Sequence, residues 1–213
     1  MERKKLDLTL YVITDENLLK DVDIAFAVEE AIKGGATVIQ YRAKNKSGKY
    51  MFTEALKLKE VCDKYNIPLF INDRVDIALA VKSDGIHTGQ NDLPIDEVYR
   101  ITEGKYFLGW STKKIDDVIE ANKRDYIDYI GFGSIFPTKT KQDIKLNGLE
   151  ELEKILKISN KPVVAIGGIN HSNVVDVLKT GCKNVAVVSA VFKDNNIYEN
   201  TARLRELIER FKG

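Results

Sequence analysis

The sequence predicts a single-domain α/β protein with the (β/α)8 TIM barrel fold, and three observations lead to this prediction. Short apolar runs alternate eight times with stretches of helical spacing, a pattern typical of a parallel sheet. The 213 residues leave roughly 27 for each unit, which is compact but ordinary for a barrel. The G-x-G-x-x-G turn expected after the first strand of an open, doubly wound sheet is absent. We therefore expect one domain over residues 1–213.

The predicted strands share a short apolar run that is bounded by turn or capping residues. Thr14 stops the first run, for example, and Pro68 opens the third. In chain order the predicted strands are 8–13, 36–41, 68–71, 85–87, 106–110, 127–130, 162–166 and 185–189.

The predicted helices share apolar residues spaced three or four positions apart. The first of them ends at the pair Gly34 and Gly35, and in the second Phe52 and Leu56 are among the residues available to the buried face. In chain order the predicted helices are 22–33, 49–65, 74–81, 95–102, 115–122, 148–158, 172–179 and 197–211. The segment 131–143, after the sixth strand, is too long and polar for a plain turn, which is typical of a functional loop.

Composition limits the classes of partner. The chain has 33 basic and 32 acidic residues, so it has no long-range field for nucleic acid or an anionic membrane. Cys62 and Cys182 form no C-x-x-C pair and are expected to be reduced, buried thiols. The amino terminus lacks the apolar core of a signal peptide, and no apolar run approaches about 18 residues. We expect a cytoplasmic protein that binds small molecules; a homo-oligomer is left open.

Two acidic residues follow neighbouring strands. Asp73 comes after the third strand and Asp92 after the fourth, and consecutive strands joined by one helix run parallel, so both carboxylates should lie side by side. With Asn72 and Gln90 as amide companions they suit Mg²⁺, which takes one or two protein carboxylates and fills its other positions with water and substrate phosphate. The alternative is that Asp73 only caps a helix and Asp92 only starts the turn before Pro94.

The end of the second strand carries positive charge. Alternation places Gln40 and Arg42 on one side of the strand and Tyr41 on the other. If the first side faces the lumen, Arg42 offers a planar fork for phosphate and Lys44 adds a movable charge. The alternative is a pair of exposed surface cations.

The last strand ends suit a phosphate group. Gly167 and Gly168 follow the seventh strand and Ser189 follows the eighth, where barrels commonly bind phosphate through backbone N–H groups. A tight turn would also use two glycines. His87, at the fourth strand end, either serves an anion or a proton transfer or packs as a structural residue.

Six motifs together carry a family resemblance over nearly the whole chain. They are Q-Y-R-A-K at 40–44, I-N-D-R at 71–74, H-T-G-Q-N-D at 87–92, G-F-G-S-I-F-P-T-K-T-K at 131–141, A-I-G-G-I at 165–169 and V-V-S-A at 187–190. The chain resembles the thiamine phosphate synthases, barrel enzymes that join the pyrimidine and thiazole halves of thiamine. It departs from their pattern at Ala43, often a glutamate, at Ser134, often a proline, and at Thr88, often aliphatic; none of these changes a cation or a metal-binding acid that the resemblance implies.

The resemblance implies a transferase and a role for each matching residue. The residues implied to hold the pyrimidine diphosphate are Gln40, Tyr41, Arg42, Ala43, Lys44, Asn72, Ser111 and Lys141. Those implied to hold the thiazole phosphate are Thr138, Lys139, Thr140, Gly168, Val188 and Ser189. The implied cofactor is Mg²⁺, on Asp73 and Asp92. The residues with an expected catalytic role are Arg42, Lys44, His87, Ser111 and Lys141.

Three other functions compete with this one. A related thiazole tautomerase would bind thiazole phosphate without a diphosphate clamp. The presence of Arg42, Lys44, Asp73, Asp92 and Lys141 argues against that function. A non-catalytic sensor on the same scaffold would not need paired acids. Phosphosugar isomerase or aldolase chemistry would need a base or a Schiff-base lysine, and none is obviously placed.

Lys141→Ala should lower kcat about a hundredfold and change the KM for thiazole phosphate little. An ammonium aimed at departing diphosphate oxygens in a closed site gains strength as charge develops there, and one such donor is typically worth about 3 kcal/mol. Single-turnover formation of thiamine phosphate measures the effect. Lys145→Ala, in the same loop, should cost much less; a wild-type rate for Lys141→Ala would reduce Lys141 to a solvated charge.

Overall fold

Eight short strands pair in parallel, each with its neighbours in chain order, and the first also pairs with the eighth to close a barrel. The structure is a computed structural model that describes residues 4–138, 146–194 and 196–212. The strands are β1 (Leu10–Ile13), β2 (Val38–Tyr41), β3 (Leu69–Asn72), β4 (Gly85–Thr88), β5 (Phe107–Thr112), β6 (Tyr129–Phe132), β7 (Val163–Ile166) and β8 (Asn184–Val187). The predicted TIM barrel is therefore confirmed.

Helices on the outside connect successive strands. They are α1 (Ile24–Lys33), α2 (Gly48–Lys64), α3 (Val75–Val81), α4 (Ile95–Ile101), α5 (Ile115–Asn122), α6 (Gly148–Ile158), α7 (Val174–Lys179), α8 (Ser189–Phe192) and α9 (Ile197–Lys212). The short α8 was not predicted, and it makes β8 end at Val187 instead of residue 189. None of the helices in the described parts of the chain is long and apolar enough to cross a membrane.

The structure also corrects expectations about β6 and α2. β6 begins at Tyr129 rather than at residue 127, because the Ile127 N–H still bonds back to the Arg124 carbonyl in a turn. In α2, Phe52 and Leu56 are 39% and 41% exposed. Ala55 and Leu58, also predicted for the buried face of α2, are buried, and Met51, Lys59 and Cys62 complete that face.

Alternation along the strands divides the core into an outer and an inner part. Along β2, Ile39 and Tyr41 pack outward against the helices, whereas Val38 packs inward. The Tyr41 hydroxyl donates a 2.7 Å hydrogen bond to Glu54, which also accepts one from Lys46. Cys62 and Cys182 are both buried, as expected, and burial raises the pKa of the Cys62 thiol to about 12.

The inner core is built around aromatic rings. The Phe70 ring centroid lies 5.9 Å from that of Tyr11 and 5.6 Å from that of Tyr129. Gly85 makes room for these rings, since a Cβ there would come within 2.3 Å of the Phe70 ring. The lumen is thus a filled core whose upper layer can support a site.

Gly85→Ala should destabilise the protein by about 1–3 kcal/mol, the usual cost of overpacking a core. The added methyl group has to displace the buried Phe70 ring. Urea unfolding measures the loss. Gly48→Ala is the matched control, because its methyl would meet only the end of the Arg74 side chain at 3.3 Å and alanine favours the helix. Equal stability of the two variants would contradict this account of the lumen.

Candidate active site

The carboxyl ends of β2 to β5 and the loops after them line one pocket. Its lining residues are Arg42, Lys44, Asn72, Asp73, Gly89, Asp92 and Ser111. Six of these seven are residues for which the sequence predicted a role, and Gly89 is the addition. The predicted convergence of polar groups at this face is therefore confirmed.

Asp73 and Asp92 lie side by side, as the parallel arrangement of β3 and β4 predicts. Asp73 has a positive φ of 61°, and its N–H donates to the His87 carbonyl on β4 at 2.9 Å. The Asp92 carboxylate accepts a 2.7 Å bond from the Gly89 N–H and lies within hydrogen-bonding reach of Asp73. Burial raises the pKa of Asp73 to about 6; the hydrogen bond with Asp92 and its charge add to the increase, and Lys44 opposes it.

This acid pair fits a magnesium ion. Two adjacent carboxylates repel one another unless a proton or a cation lies between them. Mg²⁺ typically takes one or two protein carboxylates and completes its shell with water and phosphate, so a pair of acids is enough to hold it. The alternative that Asp73 only caps α3 fails, because Arg74 is the N-cap residue of that helix and no side-chain cap hydrogen bond forms there. Asp92 does shape its own turn through Gly89.

Arg42 is an oriented cation rather than a surface charge. Its side chain is only 15% exposed, and its Nη1 atom lies 3.8 Å from Oδ2 of Asp15. Its backbone N–H donates to Thr14 Oγ1 at 3.0 Å. Lys44 is 55% exposed and approaches Asp73 at 4.0 Å, so it retains more freedom to follow a bound group.

Glu16 holds the turn that carries Lys44. Its carboxylate accepts hydrogen bonds from the backbone N–H groups of Lys44 and Asn45, both at 3.2 Å, and from the Asn45 side chain at 2.8 Å. Sequence reasoning missed the supporting roles of Thr14, Asp15 and Glu16. The rule that polar residues after a strand belong to the site could have found all three, since they directly follow β1.

Below the pocket, His87 lies between two side chains. Its Nε2 atom is 2.8 Å from Ser111 Oγ, and its Nδ1 atom is 2.9 Å from the Tyr129 hydroxyl. Ser111 lines the pocket, and its carbonyl accepts a 2.7 Å bond from the Gln90 side chain. Gln40 faces the lumen as predicted but is 2% exposed and donates to Tyr11.

Two residues of the 40–44 motif differ from expectation. Tyr41 is buried on the helix side of β2, so its side chain does not line the pocket, contrary to the role implied by the resemblance. Ala43 packs against the same outer core. Any contact that Tyr41 or Ala43 makes with a substrate must therefore come from its backbone atoms.

The other half of the barrel face contains Gly168, Val188 and Ser189. Gly168 has a φ of 65°, and a Cβ there would come within 2.5 Å of the Pro137 carbonyl oxygen, so this position requires glycine. Side-chain amides of Asn170 and Asn173 donate to the Gly168 carbonyl at 3.1 and 3.0 Å. Gly168, Val188 and Ser189 lie at the same end of the barrel as the pocket but do not line it. Thr138 is half-buried; Lys139, Thr140 and Lys141 lie outside the described residues.

Comparisons with known proteins agree with this geometry. The family model described as thiamine monophosphate synthase matches residues 10–191. A thiamine-phosphate synthase of Persephonella marina is 60% identical over 98% of this chain and 99% of its own length. Thiamine-phosphate synthase 1 of Aquifex aeolicus is 45% identical over 87% of this chain and 86% of its own. A solved thiamine phosphate pyrophosphorylase of Pyrococcus furiosus is 40% identical, covers 97% of this chain and 98% of its own, and has a TM-score of 0.88. The chain therefore belongs to the thiamine monophosphate synthase family.

Proposed function

We propose that this chain is a thiamine phosphate synthase, which condenses 4-amino-2-methyl-5-(diphosphooxymethyl)pyrimidine with thiazole phosphate to give thiamine phosphate and diphosphate. The observation that carries the proposal is the pocket in which the acid pair Asp73 and Asp92 faces Arg42, Lys44 and Ser111. Membership of the family supports the same reaction. A thiazole tautomerase would have no use for this combination of charges.

The residues make physical sense of the chemistry. The electron-rich aminopyrimidine breaks its C–O bond so that the electron pair leaves with diphosphate, and the thiazole nitrogen then donates its lone pair to the stabilised methylene cation. No protein nucleophile or proton transfer is needed. The protein has to stabilise the leaving group and align two rings. Arg42, held by Asp15, grips phosphate oxygens from a fixed direction, and Lys44 follows them with a mobile ammonium.

Asp73 and Asp92 are the residues that would hold Mg²⁺. When bound, the ion neutralises charge that develops on the diphosphate. Without the ion, partial burial of Asp73 and the neighbouring Asp92 carboxylate raise the pKa of Asp73 and so favour a proton there. Asn72, beside Asp73, hydrogen bonds to that carboxylate and orients it.

Gly168, Val188 and Ser189 are proposed to bind the thiazole phosphate, together with Thr138, Lys139 and Thr140 from the loop after β6. Support comes from Gly168, whose positive φ and whose carbonyl, which accepts from two asparagine side chains, fix the backbone at this strand end. Lys141 is proposed to serve the diphosphate. Cytoplasmic location remains a prediction from the sequence.

The proposed reaction is tested by assaying thiamine phosphate formation from the two substrates with and without Mg²⁺. Arg42→Ala should lower kcat/KM for the pyrimidine diphosphate about a hundredfold, because a charge-assisted, half-buried donor is lost. Arg100→Ala is the matched control, since that arginine pairs with Glu97 on the exposed face of α4. Failure to form thiamine phosphate under any metal condition would overturn the proposal.

Asp73→Asn should raise the melting temperature of the metal-free protein at pH 7–8. A carboxyl whose folded pKa is raised to about 6 contributes stability that is present below its unfolded pKa and is lost as the pH rises through 6. Asparagine does not ionise, so it removes the free-energy cost of a charged carboxylate at this position, and it tolerates the positive φ. A gain of a few degrees is expected, because each kcal/mol shifts the melting temperature by roughly 2–4 °C in a chain of this size.

Magnesium supplies the second half of this test. Mg²⁺ should raise the melting temperature of the wild type and raise that of Asp73→Asn much less. Scanning calorimetry at pH 5 and pH 8 measures both effects, and the metal-free advantage of the variant should shrink at pH 5. Equal stabilisation of the two proteins by Mg²⁺ would contradict a metal site at Asp73.

A further inference from the structure

A continuous chain of side-chain hydrogen bonds crosses the lumen beneath the pocket. Gln40 Nε2 donates to the Tyr11 hydroxyl at 2.8 Å, and the hydroxyls of Tyr11 and Tyr129 are 2.8 Å apart. The Tyr129 hydroxyl is 2.9 Å from His87 Nδ1, and His87 Nε2 is 2.8 Å from Ser111 Oγ. We call these five residues the lumen relay. Only its last member lines the pocket.

The barrel is shaped to hold this relay. Gln40, Tyr11 and Tyr129 are at most 2% exposed. Gly109 makes room for the Tyr129 ring, since a Cβ there would come within 2.2 Å of it, and a Cβ at Gly131 would lie 3.2 Å from the His87 ring. The His87 and Tyr129 rings stack with centroids 5.6 Å apart. Such a buried polar network is costly unless every member is satisfied, so its geometry is tightly specified.

The direction of the relay follows if every buried hydroxyl proton is to find an acceptor. An amide nitrogen only donates, so the Tyr11 oxygen accepts from Gln40, and the neighbouring Tyr129 oxygen is the group that can accept the Tyr11 proton. Tyr129 then donates to His87 Nδ1. A neutral imidazole that accepts at Nδ1 has its proton on Nε2, which donates to Ser111 Oγ.

Ser111 is the point where this order reaches the pocket. Its oxygen accepts from His87, so its single hydrogen is directed to another acceptor. The Gln90 side chain fixes the Ser111 backbone through the carbonyl. The pocket that Ser111 lines also holds Arg42 and Lys44, which would gather anionic oxygens next to that hydrogen.

We propose that the lumen relay holds His87 as the neutral Nε2–H tautomer and so makes Ser111 a hydrogen-bond donor to an anionic oxygen of the diphosphate. His87, Tyr129 and Tyr11 are then positioning residues, because they act through Ser111. The identity of the acceptor rests on the proposed function, whereas the direction of the relay does not. Burial raises the pKa of both tyrosines, so each keeps the proton that the relay needs.

The opposite direction is the competing outcome. If the Gln40 side chain presented its carbonyl to Tyr11, every bond would reverse, His87 would carry its proton on Nδ1, and Ser111 would donate to His87. Ser111 would then offer the pocket an acceptor. The orientation of the Gln40 amide therefore decides whether Ser111, 71 residues later in the sequence, donates or accepts a hydrogen bond in the pocket.

The tautomer is read directly by ¹⁵N NMR of the full-length protein labelled at histidine, which gives signals from His87 and His171 alone. At pH 7–8 the wild type should show a protonated Nε2 and a bare Nδ1 at His87. Tyr129→Phe should give a mixture of tautomers. Tyr11→Phe should disturb the tautomer less, because Tyr129 keeps its hydroxyl beside His87 and loses only the donor that orients it. A protonated Nδ1 in the wild type, or an unchanged tautomer in Tyr129→Phe, would overturn the proposal.

Kinetics test the connection to Ser111. Tyr129→Phe should lower kcat about tenfold, the value of one hydrogen bond, with little change in the KM for thiazole phosphate. Tyr11→Phe should lose less. In a protein that already carries Ser111→Ala, adding Tyr129→Phe should not lower kcat further. If the double variant instead loses the product of the two single losses in kcat, Tyr129 acts independently of Ser111 and the relay is overturned. Thermal unfolding checks that both tyrosine variants remain folded.

The two proposals fail in different ways. The NMR experiment needs no turnover, so an Nε2–H tautomer in a protein that makes no thiamine phosphate would leave the direction of the relay standing and remove the diphosphate as acceptor. An Nδ1–H tautomer in an active enzyme would remove the relay and keep the reaction.

Discussion

Each strand of this barrel is four to six residues long, so only two or three of its side chains can face the lumen. The lower inward positions are used for packing, by residues such as Phe70 and Phe107. The upper ones on β2 to β5 are polar: Gln40, Asn72, His87 and Ser111. Because all eight strands are parallel, those upper positions meet at one face, and a pocket there follows from topology before any loop is considered. The short strands also leave no spare layer between the aromatic floor and the pocket, so the buried Tyr129 is connected through His87 to Ser111, which lines the pocket.

Charge in the pocket is arranged locally in a chain that is nearly neutral overall. Acidic residues after β1 support the cations after β2, and those cations in turn face the acid pair after β3 and β4. Arg42 is thus held by Asp15 on one side while it faces the pocket on the other. This arrangement keeps strong local fields without a net charge that would attract polyanions.

Sequence reasoning succeeded where a local pattern and a topological rule were sufficient. The neighbouring positions of Asp73 and Asp92 follow from two parallel strands, and the inward position of Gln40 follows from alternation. It failed where several patterns fitted one segment: Phe52 and Leu56 in α2 are apolar residues outside the stripe that tertiary packing buries. It also missed the tyrosines of the lumen relay, because Tyr11 and Tyr129 count as apolar in a strand pattern and their hydroxyls matter only once six other strands surround them. Site contacts from Lys139, Thr140 and Lys141 stay predictions.

The loop after β6 is closed at its base by one residue. Asn147 donates its backbone N–H to the Ser134 carbonyl at 2.9 Å and its side chain to the Gly133 carbonyl at 3.0 Å. The two ends of the loop are therefore joined by bonds that do not involve residues 139–145. Lengthening a segment whose ends are already pinned costs little free energy, about 0.6 kcal/mol for each doubling. Evolution can consequently change the length and sequence between these ends to suit a new substrate while the barrel beneath keeps its stability.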